Sequence, residues 1–337
     1  MEGKGGTDMI GEIVKVWRAR SWMKKNVPFL YSWHAYVGYE LDLFDSFSRP
    51  ATIQEIAIQK NLEMDLLEQW VEVGISLKHL KRKDDSKVST RGKWKLPSSK
   101  SDPHSSGILL KEMMELHIPA LLSYPELLRN QRKQHFNSDL HGSTVAKTSI
   151  LLERFAFPKV QKAIKKHRVS SILDLGCGEG GYIRRIGERH PDKKMVGIEI
   201  HEGVAKTATE ALESYPNIDV VCADLHSYEP ESGFDMIMAN NLFHYIDPSE
   251  RKDFFHKASE WLEEGGVFFV LSPMQKSKHG QQFSSAFNSF FMSFQNLYPI
   301  PSHGEMETLA EKTGFICETV EPIVKEGGWY AMTFKKS

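Results

Sequence analysis

Two rhythms of apolar residues divide this chain. Up to about Arg168 the apolar positions recur at helical spacing; beyond it, short β-branched runs alternate with helical segments. In the first half, Trp17 to Trp33 and Ala35 to Phe47 read as two aromatic-rich helices. Thr52-Ile-Gln-Glu55 has the form of a capping box, with Thr52 as N-cap and Glu55 reaching back, and it predicts a short helix through Lys60. Asp65 to Leu80 predicts a second helix, apolar at Leu66, Leu67, Trp70, Val73, Ile75 and Leu77. A hairpin follows: Leu80 to Lys83, a turn at Asp84-Asp85-Ser86, then Lys87 to Leu96. Pro97 to Gly107 is rich in Ser and Pro and reads as a linker, with helices expected over 108–116, 120–133 and 147–167.

From Ser170 the candidate strands are Ser171–Leu175, Lys194–Ile200, Ile218–Ala223, Phe234–Ala239 and Gly266–Leu271, with helices starting near Gly181, Glu202 and Ser249. Near-continuous apolar strands separated by helices imply a parallel sheet covered on both faces, an α/β fold. Ile316–Val324 and Trp329–Lys335 flank Glu326-Gly327-Gly328 and predict a closing antiparallel hairpin. In the first half, two helices followed by a two-stranded wing form the winged-helix pattern.

Composition refines this picture. A chain of 337 residues suits two domains, and 40% hydrophobic content supplies a core without metal or disulfide staples. The longest apolar run, Val267 to Leu271, is strand-sized and too short to span a membrane. Met1-Glu2-Gly3-Lys4 opens without an apolar core, which argues against secretion and for the cytoplasm. Cys177, Cys222 and Cys317 are too few and too scattered for a disulfide framework or zinc ribbon. Residues 1–168 carry 28 Lys and Arg against 19 Asp and Glu, a balance of +9; residues 169–337 carry 15 against 25, a balance of −10. The positive charges are spread over many short elements, so we read two lobes of opposite sign rather than a nucleic-acid footprint.

The chemical centre is Ile172-Leu-Asp174-Leu-Gly176-Cys177-Gly178-Glu-Gly180-Gly181, at a strand end and helix start. Glycines suit a sharp turn whose backbone must approach a ligand. Gly176, Gly178 and Gly181 also satisfy the dinucleotide fingerprint, with Glu199 at a ribose-binding distance. Three features favour a different ligand. Asp174 would repel a pyrophosphate but suits an ammonium group, as in the methionine moiety of S-adenosyl-L-methionine. Glu199 ends the next strand and can accept from both ribose hydroxyls. Asp224, ending the third, can accept from an adenine amino group while Leu225 packs the ring.

On these residues, 170–335 resembles a class I S-adenosylmethionine-dependent methyltransferase domain. The matching positions are the loop Asp174, Gly176, Gly178 and Gly180, the acidic Glu199 and Asp224, the Glu264-Gly265-Gly266 turn and the terminal hairpin. The resemblance implies a Rossmann-like seven-strand sheet with its last strand antiparallel. It implies S-adenosyl-L-methionine held by Asp174, Gly176, Cys177, Gly178, Gly180, Glu199, Ile200, Asp224, Leu225, Asn240 and Asn241. The first half, from Glu40-Leu-Asp-Leu-Phe44 to the wing, is similar to the winged-helix dimerisation domain of small-molecule O-methyltransferases. Expected divisions are a helical winged-helix domain at 1–105, linking helices at 106–168 and the methyltransferase domain at 169–337, assembled as a homodimer.

In that family a His shortly after the fourth strand takes the proton of the substrate hydroxyl. His244 falls there, although Tyr245 and Ile246 follow it where plant-type members have Asp and Trp. The alternative is a packed structural histidine. Asp247-Pro248-Ser249-Glu250 reads as a helix start, with Asp247 as N-cap. Asn240 is not followed by the rest of the Asn-Pro-Pro-Tyr motif of nucleic-acid amino methyltransferases. Gln281 to Pro301 carries Phe283, Phe287, Phe290, Phe291, Phe294 and Tyr298; Tyr245, Phe287, Phe291 and Tyr298 are the expected pocket wall, and no metal site is expected. The leading expectation is O-methylation of a phenol or enol. The rivals are C- or N-methylation of a keto acid or amine, and a DNA-binding regulator with a ligand-sensing methyltransferase fold.

Overall fold

A computed structural model describes residues 5–337 except 85, 93, 94, 103 and 131. The expectations at Met1 to Lys4, at Asp85, Lys93 and Trp94 of the wing, at Pro103 of the linker and at Gln131 lie outside the described residues. The chain divides into two compact units, Met1–Leu116 and His117–Ser337.

The first unit is helical with a small sheet. One helix, α1 (Gly5–Glu40), replaces the two expected; it runs through Pro28, which removes only its own amide donor from the ladder. The break comes later, at Asp42, whose left-handed φ of 53° separates α1 from the single turn α2 (Leu43–Ser46). Next come β1 (Ala51–Thr52), α3 (Ile53–Lys60) and α4 (Met64–Ser76). The capping box at Thr52 and Glu55 forms as expected. The buried stripe of α4 is Leu67, Trp70, Val71 and Gly74, so Leu66, expected inside, points outward at 71% exposure. β2 (Leu80–Arg82) and β3 (Lys87–Thr90) pair antiparallel, and β1 adds to the far side of β3. Leu43, Phe44, Phe47, Val71, Leu80 and Val88 form the core of this unit, which ends with α5 (Gly107–Glu112).

The second unit opens with α6 (Ile118–Leu122), α7 (Tyr124–Asn130) and the long α8 (Ser138–His167). Strands and helices then alternate: β4 (Ser171–Leu175), α9 (Gly181–Arg189), β5 (Lys194–Glu199), α10 (Glu202–Leu212), β6 (Ile218–Cys222) and β7 (Phe234–Asn240). They are followed by α11 (Arg251–Trp261), β8 (Leu262–Pro273), α12 (Gln281–Met292), α13 (His303–Lys312), β9 (Phe315–Val324) and β10 (Trp329–Lys336). The seven-stranded sheet has the order β6-β5-β4-β7-β8-β10-β9, parallel from β6 to β8 and antiparallel at β10 and β9. Two apolar clusters, one on each face, bury the sheet, with Ile172, Met236 and Phe269 on one side and Leu173, Ile237 and Phe268 on the other. This is the Rossmann-like α/β fold expected from the alternation of strands and helices.

Two local expectations need correction. The Gly265-Gly266 turn is absorbed into β8, which starts at Leu262 and passes a register shift opposite Phe234 and Met236, with Gly265 at φ +73°. Asp247 does not cap α11: its carboxylate accepts from the Ser249 backbone and hydroxyl in a local turn, and the helix starts at Arg251.

Candidate active site

The strand order makes β4, β5 and β6 neighbours, so their carboxyl ends form one edge carrying Asp174, Glu199 and Asp224. Between β4 and α9 the loop turns on Gly176, Gly178 and Gly180, at φ of +69°, +55° and +77°. A Cβ at Gly178 would meet only open space, which leaves a bare backbone surface at the edge. Cys177 turns inward; its sulfur occupies the space opposite Gly197, and its amide donates to the Ile198 carbonyl, tying β4 to β5. Burial raises the pKa of this thiol, so the residue is inert packing with a backbone to offer.

Asp174 is buried at the end of β4 and accepts from Asn240 Nδ2 at 3.2 Å. Burial, reinforced by the nearby Glu153 and Glu199, pushes its carboxyl up to about 8 against that hydrogen bond. Glu199 accepts from the Gly178 amide at 3.1 Å and the His201 amide at 3.0 Å, locking the loop to β5. Asp224 is exposed and accepts from the His226 amide at 2.8 Å, while Leu225 packs on the core cluster beneath. Ile200, 58% exposed, lies on the same edge between Glu199 and Asp224.

Beyond β7 the chain builds a second flank. Asn241 sits in the left-handed region (φ 53°), and its Oδ1 accepts from Trp329 Nε1 at 3.0 Å. A 3₁₀ turn at Phe243–Tyr245 follows. His244 is buried within it, stacked on Phe291 with centroids 4.2 Å apart at 17°. Its Nδ1 has no hydrogen-bond partner among the described residues. Burial first, and the charge of Arg251 second, lower its pKa to about 3. Phe291 in turn meets Phe287 at 4.5 Å, and Phe287 meets Trp329 at 5.3 Å. The structure thus brings His244, Phe287, Phe291 and Asn241 into one aromatic flank; Tyr298 contributes a backbone amide to the His244 carbonyl, and Tyr245 faces outward at 45% exposure.

Several residues of this region have no counterpart in the sequence reading. Arg251, 1% exposed, donates to the carbonyls of Phe243, Ile246 and Pro299 and pairs with Glu305, pinning the turn that carries His244. Trp329 links the hairpin to Asn241. Glu153 and Tyr182 are buried close behind Asp174. Tyr182 directly follows the glycine loop and was within reach of a motif argument; Glu153, in a Lys- and Arg-rich helix, carries no local signal. Among the described residues no group of three or more His, Cys, Asp or Glu is arranged to hold a metal ion, and no helix is long and apolar enough to cross a membrane.

Residues 172–266 match the family profile described as Methyltransferase domain. The chain is 33% identical over 96 residues to malonyl-[acyl-carrier protein] O-methyltransferase 1 of Ilyobacter polytropus, covering 28% of this chain and 35% of that one. It spans about a third to a half of the length of the curated relatives first matched. Among solved structures, mitomycin 7-O-methyltransferase superposes with a TM-score of 0.78 at 15% identity, covering 96% of this chain and 100% of that one. Human N-acetylserotonin methyltransferase in complex with S-adenosylmethionine gives 0.77 at 15%, covering 95% and 98%. Residues 172–266 of the second unit thus resemble a methyltransferase domain, and the unit shares its fold with a neighbour solved in complex with S-adenosylmethionine. The residues present fit that cofactor, since the bare glycine backbone, an orphan Asn240 Oδ1 and three acidic strand ends face one edge.

Proposed function

We propose that this protein transfers the methyl group of S-adenosyl-L-methionine to the oxygen of a small phenol or enol. The observation that carries this reading is the junction of the acidic strand-end row with the aromatic flank of His244, Phe291, Phe287 and Trp329. When bound, the cofactor supplies an electrophilic methyl group on a sulfonium. Glu199 accepts from the ribose hydroxyls, Asp224 from the adenine amino group, and Leu225 with Ile200 gives apolar cover to the base. Phe287 and Phe291, with Tyr245 and Tyr298 at the margin, seat a planar acceptor, so that positioning supplies much of the rate. His244 presents Nδ1 to the acceptor oxygen.

The low basicity of His244 sets a condition on this chemistry. A neutral imidazole of that kind takes a proton only from an acidic hydroxyl, so the reading favours acceptors of low pKa. The same observation favours a second reading, methylation of an amine nitrogen or keto-acid carbon, where little help from a base is needed. Outside the catalytic unit, the proposal keeps a winged-helix domain at 1–105, linking helices at 106–168 and a catalytic domain at 169–337, in a cytoplasmic homodimer. Exposed Trp17, Trp22, Phe29 and Trp33 on α1 support the self-association. A panel of phenols, amines and keto acids, assayed for S-adenosylhomocysteine release and methylated mass, tests the chemistry. Methyl ethers of the more acidic phenols or enols are expected; products methylated only at nitrogen or carbon would transfer the conclusion to the second reading.

A further inference from the structure

Behind the glycine loop lies a polar cluster that folding alone leaves unbalanced. Glu153 of α8 is 4% exposed, ion-paired with Arg185, and its carboxylate fills the space a Cβ at Gly181 would need. Burial raises its pKa even against that guanidinium. Asp174 lies close enough to Glu153 for that carboxylate to disfavour its charge. Tyr182, nine-tenths buried, feels both carboxylates, yet its hydroxyl bonds to neither and has no partner among the described residues. Asn240 spends its amide on Asp174 and leaves Oδ1 unpartnered as well. Each orphan of this kind keeps its desolvation cost without a hydrogen bond to offset it, so a cluster built only for stability would close these bonds.

The unused capacity has a shape. One carboxylate has a guanidinium and the other, Asp174, only an amide; an amide oxygen awaits a donor, and a hydroxyl has no partner. A group carrying an ammonium beside a carboxylate satisfies all of them. We propose that Glu153 and Tyr182 complete, with Asp174, a clamp for the amino-acid end of S-adenosyl-L-methionine, in which Glu153 and Asp174 accept from the ammonium and the Tyr182 hydroxyl donates to the carboxylate. This rests on the cofactor reading above and extends it to two residues outside the glycine motif. Gly181 then serves a purpose beyond the turn, since any side chain there would displace Glu153 from the clamp.

Calorimetry with three ligands tests the clamp: S-adenosyl-L-methionine, its decarboxylated form, which keeps only the ammonium, and 5′-methylthioadenosine, which lacks both groups. Glu153→Gln is expected to weaken the first two by roughly 10- to 100-fold, the usual cost of losing a charged hydrogen bond, and to spare the third. Tyr182→Phe should weaken only S-adenosyl-L-methionine, by about tenfold. If Glu153→Gln does not fold, Tyr182→Phe against the decarboxylated ligand still decides the case. Unchanged binding of all three ligands by the variants, or equal loss for all three, overturns the clamp. A wild-type chain that binds 5′-methylthioadenosine but not S-adenosyl-L-methionine would instead refute the cofactor reading.

Discussion

In the first unit His34 lies flat on Trp70, with centroids 4.2 Å apart at 7°; in the second, His244 lies flat on Phe291, at 4.2 Å and 17°. Both are buried, and burial lowers their pKa values, to about 4 and about 3. What separates them is hydrogen bonding. His34 Nε2 meets the Trp70 carbonyl at 3.0 Å, so it carries the proton, and Nδ1 accepts from His79 Nδ1 at 2.9 Å. Trp70 returns a bond to the His34 carbonyl, and Gly74 leaves the room: a Cβ there would lie 2.5 Å from His34 Nε2. His34 is a finished piece of core. His244 keeps an unpartnered Nδ1 at the edge of the methyltransferase site. Stacking and burial are alike in the two; only the unfilled bond marks a residue that can still meet a ligand.

The largest effect that sharpens this contrast is on turnover. His244→Ala should lower turnover by about two to four orders of magnitude with a hydroxyl acceptor protonated at the assay pH, and much less with one already ionised. S-adenosyl-L-methionine affinity should hold in calorimetry. Equal losses for both acceptors, with a lowered melting temperature, would place His244 beside His34 as packing.

Next in size is the converse change. His34→Ala removes a stacked ring and two side-chain hydrogen bonds, and should destabilise the first unit by about 2–4 kcal/mol. Thermal unfolding measures this, and cofactor affinity serves as the control. Cofactor binding lost together with stability would erase the distinction between the two histidines.

The smallest effects are in pH dependence. His34 is neutral when folded and titrates near 6.5 when unfolded, so below about 6.5 the unfolded chain binds more protons and stability falls toward pH 4. Asp174 has the opposite sign: its folded carboxyl titrates near 8 and its unfolded one near 3.8, so its contribution is full below about 3.8 and is lost progressively as pH rises from there through 8. His34→Phe should therefore flatten the rise in stability between about pH 4 and 6.5, and Asp174→Asn the fall in stability between about pH 4 and 8. Asp174→Asn should also melt higher at pH 8 by at least about 2–4 °C, the shift that 1 kcal/mol produces in a domain of this size. Denaturation curves from pH 4 to 9 give both slopes, and a profile unaffected by either substitution would refute the assignments.

Much of the second unit was readable from local pattern, because parallel strands buried on both faces are continuous apolar runs and their ends are marked by Asp174, Glu199 and Asp224. The closing hairpin was readable for a similar reason, its turn being spelled by Gly327 and Gly328. The first unit was harder. The aromatic spacing divides the stretch between Trp33 and Ala35, yet α1 runs through that point and through Pro28, because one lost amide bond does not end a helix whose neighbours continue the ladder. Arg251 and Glu153 were invisible because their roles come from carbonyls and carboxylates supplied by segments far along the chain. No local rhythm carries such information. Asp247 misled for the opposite reason: its local chemistry serves a turn as well as a cap, and the turn took it.

The position of β10 has a consequence for how the protein is made. It is the last of the seven strands to be synthesised, yet it lies inside the sheet, hydrogen-bonded to β8 on one side and β9 on the other. Until Trp329–Lys336 has left the ribosome, β8 presents an open edge and β9 has no neighbour in the sheet. Exposed edges of this kind invite pairing with other chains. The nascent chain therefore passes through a window in which its most apolar strand, Val267 to Leu271, is unprotected on one side.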